Sequence, residues 1–210
     1  MQRRDILKAI ALGGAAAVVR PFGNFDVLAQ TGSANSANSA GGADLVAALG
    51  GEPVEMLRQT LVELGGMERF VQKGMQVVIK PNIGWDNTPD EAGNSNPELI
   101  GALVQHCLQA GAAKVSVLDH TCDQWTACYS NSGIEAAVQA AGGEMLPAND
   151  KGSYQDVALP RAKVMKKAKI HRAIMASDVW FNVPVLKSHG GAGMTVSMKN
   201  MMGIVWDRGY

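Results

Sequence analysis

Three apolar runs in the chain end abruptly in charged or amide residues. Each run is continuous enough to predict a strand covered on both faces, and the runs occupy residues 75–79, 115–118 and 179–186. Between the first two, apolar residues recur at helical spacing after Asn96 and Pro97, a pair typical of a helix start. Alternating strands and helices predict an α/β domain, with a mostly parallel sheet and helices on both faces.

The remaining apolar patterns predict further helices and one irregular stretch. The helices are predicted over residues 53–64, 134–141, 164–175 and 194–204. Residues 152–160 show neither a helical nor an alternating period and are expected to be irregular. No closing element follows the last predicted helix, so the domain is expected to be truncated, with its C-terminal part missing.

Residues 1–29 are predicted to be a twin-arginine signal peptide. Arg3 and Arg4 precede a mildly apolar stretch that is shorter than the roughly 20 residues a membrane-spanning helix needs. The alternative is an ordinary basic helix at the start of a cytosolic domain. Small polar residues at 30–43 predict a disordered linker, which leaves 44–210 as the domain. The chain is therefore expected to be exported to the periplasm by the twin-arginine translocase, without a transmembrane segment.

The charge balance argues against a nucleic-acid partner. The chain has 19 basic and 19 acidic residues and a formal net charge of zero, so no basic face is expected to follow a phosphate backbone. The 210 residues, 47% of them hydrophobic, are enough for one globular domain with a sizeable core.

The three cysteines form no recognisable zinc or iron–sulfur motif. Cys107 lies in an apolar helical stripe and is expected in the core. Cys122 and Cys128 lie in a predicted loop or short helix, and an oxidising compartment would permit a disulfide between them. Whether they pair stays open.

Polar residues follow all three predicted strands and form one candidate site. Because the carboxyl ends of parallel strands meet at one edge of a sheet, these residues are expected to converge there. Ammonium and amide groups suit a small anionic ligand such as a phosphate or a carboxylate, and the ligand-binding candidates are Lys80, Asn82, Lys199 and Asn200. Proton carriers or metal ligands are expected beside them, and the catalytic candidates are Lys187, His189 and Asp119. The metal itself is not specified.

Less specific interpretations stay open for these residues. Each lysine is equally compatible with a surface charge or a salt bridge, and Asp119 with a cap of the following turn. Gly190 to Gly193 form either an anion-binding loop or a plain hinge. The methionines at 194, 198 and 201 share one face of the predicted helix, so packing is preferred to copper binding.

Several longer motifs resemble one known family. They are Val78-Ile79-Lys80-Pro81-Asn82, the Gly111 to Val115 run leading to Asp119, the stretch 178–189, and the stretch 194–203. Together they resemble the uncharacterised family named domain of unknown function 362. Many of its relatives append ferredoxin-like iron–sulfur modules, some carry a twin-arginine signal, and the fold is distantly similar to that of lactate racemases.

The resemblance implies an α/β fold and favours redox or isomerase-type chemistry. A metal or an iron–sulfur cluster is a compatible cofactor, although the chain has no C-x₂-C-x₂-C-x₃-C run that would hold a cluster. The first hypothesis is therefore an exported enzyme acting on an anionic substrate. The alternative is a non-catalytic periplasmic ligand-binding protein, or an accessory protein of a redox complex.

Overall fold

The computed structural model describes residues 17–22, 25–30 and 43–208. The chain forms two compact units, Met1–Phe70 and Val71–Tyr210. The first unit contains an antiparallel sheet in the order β1 (Ala17–Phe22), β2 (Phe25–Gln30) and β3 (Leu45–Leu49). It also contains the helix α1 (Pro53–Glu63) and a 3₁₀ turn at Met67–Arg69.

The helix α1 has the predicted start and end. Pro53 occupies the first turn, where its missing N–H costs nothing. Gly65 and Gly66 follow the helix with φ of 93° and 90°, a left-handed conformation that glycine adopts without strain. The helix predicted over 53–64 is thereby confirmed.

The predicted signal peptide overlaps the first two strands. Arg3, Arg4 and most of the predicted linker at 30–43 lie outside the described residues. Both the signal peptide and the linker stay predictions. None of the helices in the described part of the chain combines the length and the apolar character needed to cross a membrane.

The second unit is built around parallel strands. Its strands are β4 (Gln76–Pro81), β5 (Lys114–Val117), β6 (Glu144–Met145), β7 (Tyr154–Ala158), β8 (Lys167–His171), β9 (Val179–Val183), β10 (Lys187–His189) and β11 (Gly193–Thr195). Its helices are α2 (Pro97–Gln109), α3 (Trp125–Asn131), α4 (Ile134–Ala140), α5 (Arg172–Ala176) and α6 (Ser197–Asn200). Short 3₁₀ turns lie at Pro89–Glu91, Lys151–Ser153 and Met201–Ile204.

The central sheet has the order β6-β5-β4-β9, and all its pairs are parallel. Successive strands extend from β4 toward β6 on one side, whereas β9 returns to the other side of β4. Strands are therefore added on opposite sides of β4, and the sheet has a topological switch point there. Ligands of open α/β sheets bind at such a switch point, outside the carboxyl ends of the strands.

Helices flank this sheet, and α2 packs closely on α4. A Cβ added to Gly101 on α2 would lie 3.2 Å from the Ala137 carbonyl oxygen, so glycine permits the helix contact. On the sheet, the core residue Val78 clusters with Ile174 of α5 and with Ile204. The α/β prediction is confirmed, and the described residues add three small antiparallel sheets, one of them in the first unit, to the parallel one.

Two predictions between β6 and β9 are wrong. The helix predicted over 164–175 is the strand β8 followed by the short helix α5, and the stretch 152–160 contains the strand β7. The two strands pair with each other in antiparallel register, and Ile170 of β8 also forms an isolated antiparallel bridge with Val205. One face is exposed and carries the ion pair Lys169–Asp156 at 2.9 Å, so the lysine-rich sequence lacks the continuous apolar character of a covered strand.

The region after β9 also differs from the prediction. The strand ends at Val183 rather than at 186, because Pro184 has no N–H to continue the ladder. Lys187 therefore begins the separate antiparallel hairpin of β10 and β11. The helix predicted over 194–204 is reduced to α6 and a 3₁₀ turn.

Candidate functional site

The carboxyl ends of β4 and β5 are joined by a buried ion pair. Lys80 Nζ lies 2.7 Å from Asp119 Oδ1, and the two side chains are 1% and 3% exposed. Asp119 Oδ2 accepts a hydrogen bond from the Ile83 N–H at 2.7 Å. Burial lowers the pKa of the Lys80 ammonium, and the neighbouring Asp119 carboxylate opposes that shift.

Gly203 covers this ion pair with bare backbone. A Cβ at residue 203 would lie 1.7 Å from Asp119 Oδ1 and 2.8 Å from Lys80 Nζ, closer than any side chain tolerates. The backbone oxygen of Gly203 also accepts a hydrogen bond from the His120 N–H at 2.9 Å. Only glycine allows the chain to pass this close to the two charges.

The Asn200 amide lies at the centre of the polar contacts. Its Oδ1 accepts from Lys80 Nζ at 3.0 Å and from Asn82 Nδ2 at 3.3 Å. Its Nδ2 donates to Asn182 Oδ1 at 2.7 Å. Asn200 thus joins β4, β9 and α6 at the switch point of the sheet.

Lys187 approaches the same group from the hairpin. Its ammonium donates to Asn82 Oδ1 at 2.8 Å and to the Gly93 carbonyl oxygen. An unbroken series of polar contacts therefore runs from Asp119 through Lys80, Asn200 and Asn82 to Lys187. The predicted convergence of these side chains is what the structure shows, although Lys187 reaches it from a hairpin and not from a strand end.

Two adjoining cavities lie along this series. The inner pocket, of about 80 Å³, is lined by Lys80, Asp119, His120, Met202, Gly203 and Arg208. The outer cleft, of about 60 Å³, is lined by Trp85, Pro184, Val185, Lys187, His189, Thr195 and Val196. Both are also lined by Asn82, Gly84, Cys122, Lys199 and Asn200. Each volume suits a small anion or a few waters.

The outer cleft carries uncompensated positive charge. The Lys199 ammonium makes no hydrogen bond or ion pair with any described residue, and none of the described residues lining this cleft is an Asp or a Glu. Burial lowers the pKa of Lys187, and the charge of Lys199 lowers it further. The two ammonium groups therefore repel each other across a cleft that supplies no anion of its own.

His189 is held by the turn of its own hairpin. Its Nδ1 accepts hydrogen bonds from the Gly191 and Ala192 N–H groups at 3.1 and 3.0 Å. The neutral ring must then carry its proton on Nε2, so it acts as a hydrogen-bond donor. Two of the loop N–H groups that were an anion-binding alternative in the sequence, those of Gly191 and Ala192, therefore bind His189 instead.

Arg208, which follows Gly203 in the chain, also lines the inner pocket. Arg208 donates from Nη1 to the His120 carbonyl oxygen at 3.2 Å and from Nη2 to that of Thr121 at 3.1 Å. The rings of Trp206 and His120 stack with centroids 5.0 Å apart. Burial lowers the pKa of His120, and the positive charge of Arg208 lowers it further.

The donor set does not form a ready metal site. Within the described residues, no three His, Cys, Asp or Glu side chains gather as possible metal ligands. Asp119 is occupied by Lys80 and the Ile83 N–H, and His189 by its own turn. The whole chain has three cysteines, whereas a four-iron cluster takes four. The residues present therefore fit an anion better than a metal or a cluster.

Two sequence expectations about sulfur residues have different outcomes. Cys107 is buried as expected, Cys128 is also buried, Cys122 is exposed, and all three are free thiols. The methionines at 194, 198 and 201 are exposed, with Met198 at 86%, so the prediction that they pack is wrong. Residue 194 belongs to a strand and residues 198 and 201 to two short turns of helix, so the shared helical face does not exist.

Several residues of the site were missed from the sequence. Asn182 lies opposite Lys80 in the strand register and interrupts an otherwise apolar strand, which was a usable signal. The Ser95 hydroxyl donates to the Val183 carbonyl oxygen at 2.8 Å and accepts from the Asn82 N–H at 2.8 Å. Gly203 and Trp85 carried no distinguishing pattern, because their importance depends on contacts with distant segments.

Comparison with known proteins supplies the family. Residues 77–210 match the family described as a domain of unknown function (DUF362). The chain belongs to this family. The DUF362 region begins within β4 and includes every residue named in the two cavities.

One curated relative was found. The chain is 29% identical over 163 residues to a thylakoid-associated protein of Synechocystis sp., a match that covers 74% of this chain. It covers 47% of the relative, so the chain spans about half the length of the curated protein it matches. No solved structure matches this DUF362 protein.

Proposed function

We propose that this DUF362 protein binds a small anion, a phosphate or a carboxylate, in the outer cleft. The observation that carries the proposal is the pair Lys187 and Lys199, whose ammonium groups face one cleft without a carboxylate among its described lining residues. A bound anion would remove their mutual repulsion. The Asn82 and Asn200 amides hold Lys187 and the floor of the cleft in place.

The buried ion pair supports this site from below. Lys80 and Asp119 neutralise each other, so they add little net charge to the cleft. Their role in the proposal is to fix Asn200, and through it Asn82, in one orientation. Lys80 and Asn200 thus position the groups that contact the ligand, while Lys187, Lys199 and Asn82 bind it.

Binding is tested by thermal melting with sodium phosphate or sodium acetate, against sodium chloride at equal ionic strength. A ligand at 100 times its dissociation constant adds about 2.7 kcal/mol to the stability of the folded state. Lys199→Gln should abolish the shift, because it removes an unpaired charge without breaking a hydrogen bond. Lys163→Gln, at an exposed lysine outside the cleft, should keep it. If neither anion raises the melting temperature above the chloride value, the proposal fails.

We further propose an enzyme of the isomerase type, with a redox reaction as the other class that the family context favours. A lowered pKa favours the neutral amine of Lys187, which would accept a proton from the substrate while the Lys199 ammonium holds the substrate carboxylate. His189 would donate a hydrogen bond from Nε2 to the same ligand. Proton removal and return of this kind use only side chains that already line the cleft.

A non-catalytic ligand-binding or accessory protein is the second candidate. It is supported by His189, whose Nδ1 is occupied, so that the ring is a donor and not a base. The match to a thylakoid-associated protein supports an accessory role at a membrane. Deuterium incorporation from heavy water into a bound carboxylate separates the two: exchange that is lost in Lys187→Gln indicates an enzyme, and binding without exchange indicates the alternative.

Export by the twin-arginine route is part of the proposal and rests on the sequence alone. Replacing both Arg3 and Arg4 by lysine keeps the charge but removes the paired guanidinium groups. The variant should stay in the cytoplasm while the parent protein reaches the periplasm, as measured by cell fractionation. Equal periplasmic amounts of both proteins would overturn the export proposal.

A further inference from the structure

Trp85 is an exposed aromatic residue at the rim of the outer cleft. Its side chain is 41% exposed, and its indole makes no ring contact or hydrogen bond with the described residues. Aromatic side chains that line a cleft are typical contact surfaces for a ligand, and Trp85 lines this one.

The backbone that carries Trp85 is fixed from two directions. The Trp85 N–H donates to Asn94 Oδ1 at 3.3 Å, and Asn94 Nδ2 donates to the Trp85 carbonyl oxygen at 2.9 Å. The preceding carbonyl oxygen, of Gly84, accepts from the Cys122 N–H at 2.8 Å. The ring is thus exposed on a held backbone, at low cost in conformational entropy when a ligand contacts it.

The cleft has two chemically different parts. Lys187 and Lys199 supply positive charge, whereas Trp85, Pro184 and Val185 supply apolar surface. The cleft volume of about 60 Å³ has room for an anionic group but not for a large body. A ligand that contacts both parts would place its anionic group between the two lysines and the rest of the molecule against the apolar residues at the rim.

We infer that the ligand is a planar aromatic ring that carries a phosphate or carboxylate group, with the ring stacked on Trp85. The inference rests on the proposed anion site and names the ligand class for it. Stacking of one ring on an aromatic side chain supplies about a 5- to 100-fold gain in affinity. Ammonium groups bind the anion whichever ring it carries.

Calorimetric titration with matched phosphates tests the inference. The ligands are inorganic phosphate, methyl phosphate, cyclohexyl phosphate and phenyl phosphate. Phenyl phosphate should bind about 5- to 100-fold more tightly than methyl phosphate, and cyclohexyl phosphate, which is equally bulky but not planar, should not match it. Benzoate and acetate repeat the comparison for carboxylates and show which anion the cleft prefers.

Two tryptophan variants provide the control. Trp85→Leu should remove the preference for phenyl phosphate but keep binding of inorganic phosphate. Trp125→Leu changes an exposed tryptophan on α3 that is not among the lining residues of the outer cleft, and it should keep the preference.

The outcomes separate this inference from the proposal beneath it. If phenyl and methyl phosphate bind with equal affinity, and both bind more tightly than chloride, the inference of an aromatic ring is wrong but the anion site is supported. An undiminished preference in Trp85→Leu, or equal affinities for phenyl and cyclohexyl phosphate, would likewise overturn stacking on Trp85. Absence of binding by every phosphate and carboxylate would overturn the anion site itself, and the inference with it.

Discussion

The Lys80 ammonium and the Asp119 carboxylate form an ion pair of 2.7 Å whose two side chains are almost completely removed from solvent. Such a pair is costly to break, because removal of one partner leaves the other charge buried without compensation. It connects β4 to β5 at the carboxyl edge of the sheet, and both residues line the inner pocket. Its integrity therefore decides both the stability of the domain and the shape of the site.

Asp119→Asn should lower the free energy of unfolding by about 3–5 kcal/mol, because the Lys80 charge loses its partner. Urea denaturation measures the change. The matched control is Asp156→Asn, which breaks the exposed Lys169–Asp156 pair and should leave the stability almost unchanged. A loss in Asp119→Asn no larger than in the control would contradict the buried pair.

Gly203→Ala should lower the free energy of unfolding by about 1–3 kcal/mol, the usual cost of an oversized group in a packed site. The new methyl group would overlap Asp119 Oδ1, so residues around 203 must move away from the ion pair. Gly190→Ala is the control, because a Cβ there meets no atom within 4 Å. Equal stability of the two variants in urea would show that Gly203 does not cover the pair.

Lys187 should titrate below the ordinary lysine value of 10.5, because burial and the Lys199 charge both lower its pKa. Nuclear magnetic resonance of lysine side-chain carbons measures this directly. Lys199→Gln should raise the Lys187 pKa, whereas Lys163→Gln should not. An ordinary titration of Lys187 in the parent protein would remove the basis for its proposed acid–base role.

The same shift predicts how stability depends on pH. Below the folded-state pKa of Lys187 both states are protonated, and the cost of the buried charge is present in full. As the pH rises through that pKa toward 10.5, the folded state loses its proton before the unfolded state does. The free energy of unfolding should therefore increase over this window relative to Lys187→Met; a flat difference between the two proteins would contradict the shift.

Iodoacetamide should label one cysteine in the native protein, Cys122, because it is exposed. Cys107 and Cys128 are buried, and burial raises the pKa of the Cys107 thiol to about 12 and that of Cys128 in the same direction. Mass spectrometry should find one label in the native state and three after denaturation. Labelling of Cys122 only after reduction would instead indicate a disulfide.

The sequence predicted which side chains meet at the site better than it predicted the strands and turns that carry them. Lys80, Asn82 and Asp119 lie at or just after the carboxyl ends of covered strands, so the continuous apolar runs before them predicted their positions. Lys187 lies four residues beyond the strand it was assigned to, because Pro184 ends that strand and a hairpin follows. Its position relative to Asn82 depends on the pairing of β10 with β11, which no local pattern in the sequence reveals.

The errors elsewhere have a common physical origin. β7 and β8 pair with each other in antiparallel register and carry exposed charged residues, so their lysine-rich sequence resembles a weakly amphipathic helix. The exposed methionines were assigned to packing because one continuous helix was assumed for a segment that begins as a strand and continues as two short helical pieces. Gly203 is the extreme case, since the need for glycine arises from side chains more than 80 residues earlier in the chain.

The position of Gly203 has a consequence for how the domain is assembled. During synthesis Lys80 and Asp119 emerge long before residues 200–204. Until that segment docks, both charges are exposed to water. We therefore expect the buried Lys80–Asp119 pair to form only when residues 200–204 dock. The sheet and this segment should then fold in a single cooperative event and not one after the other.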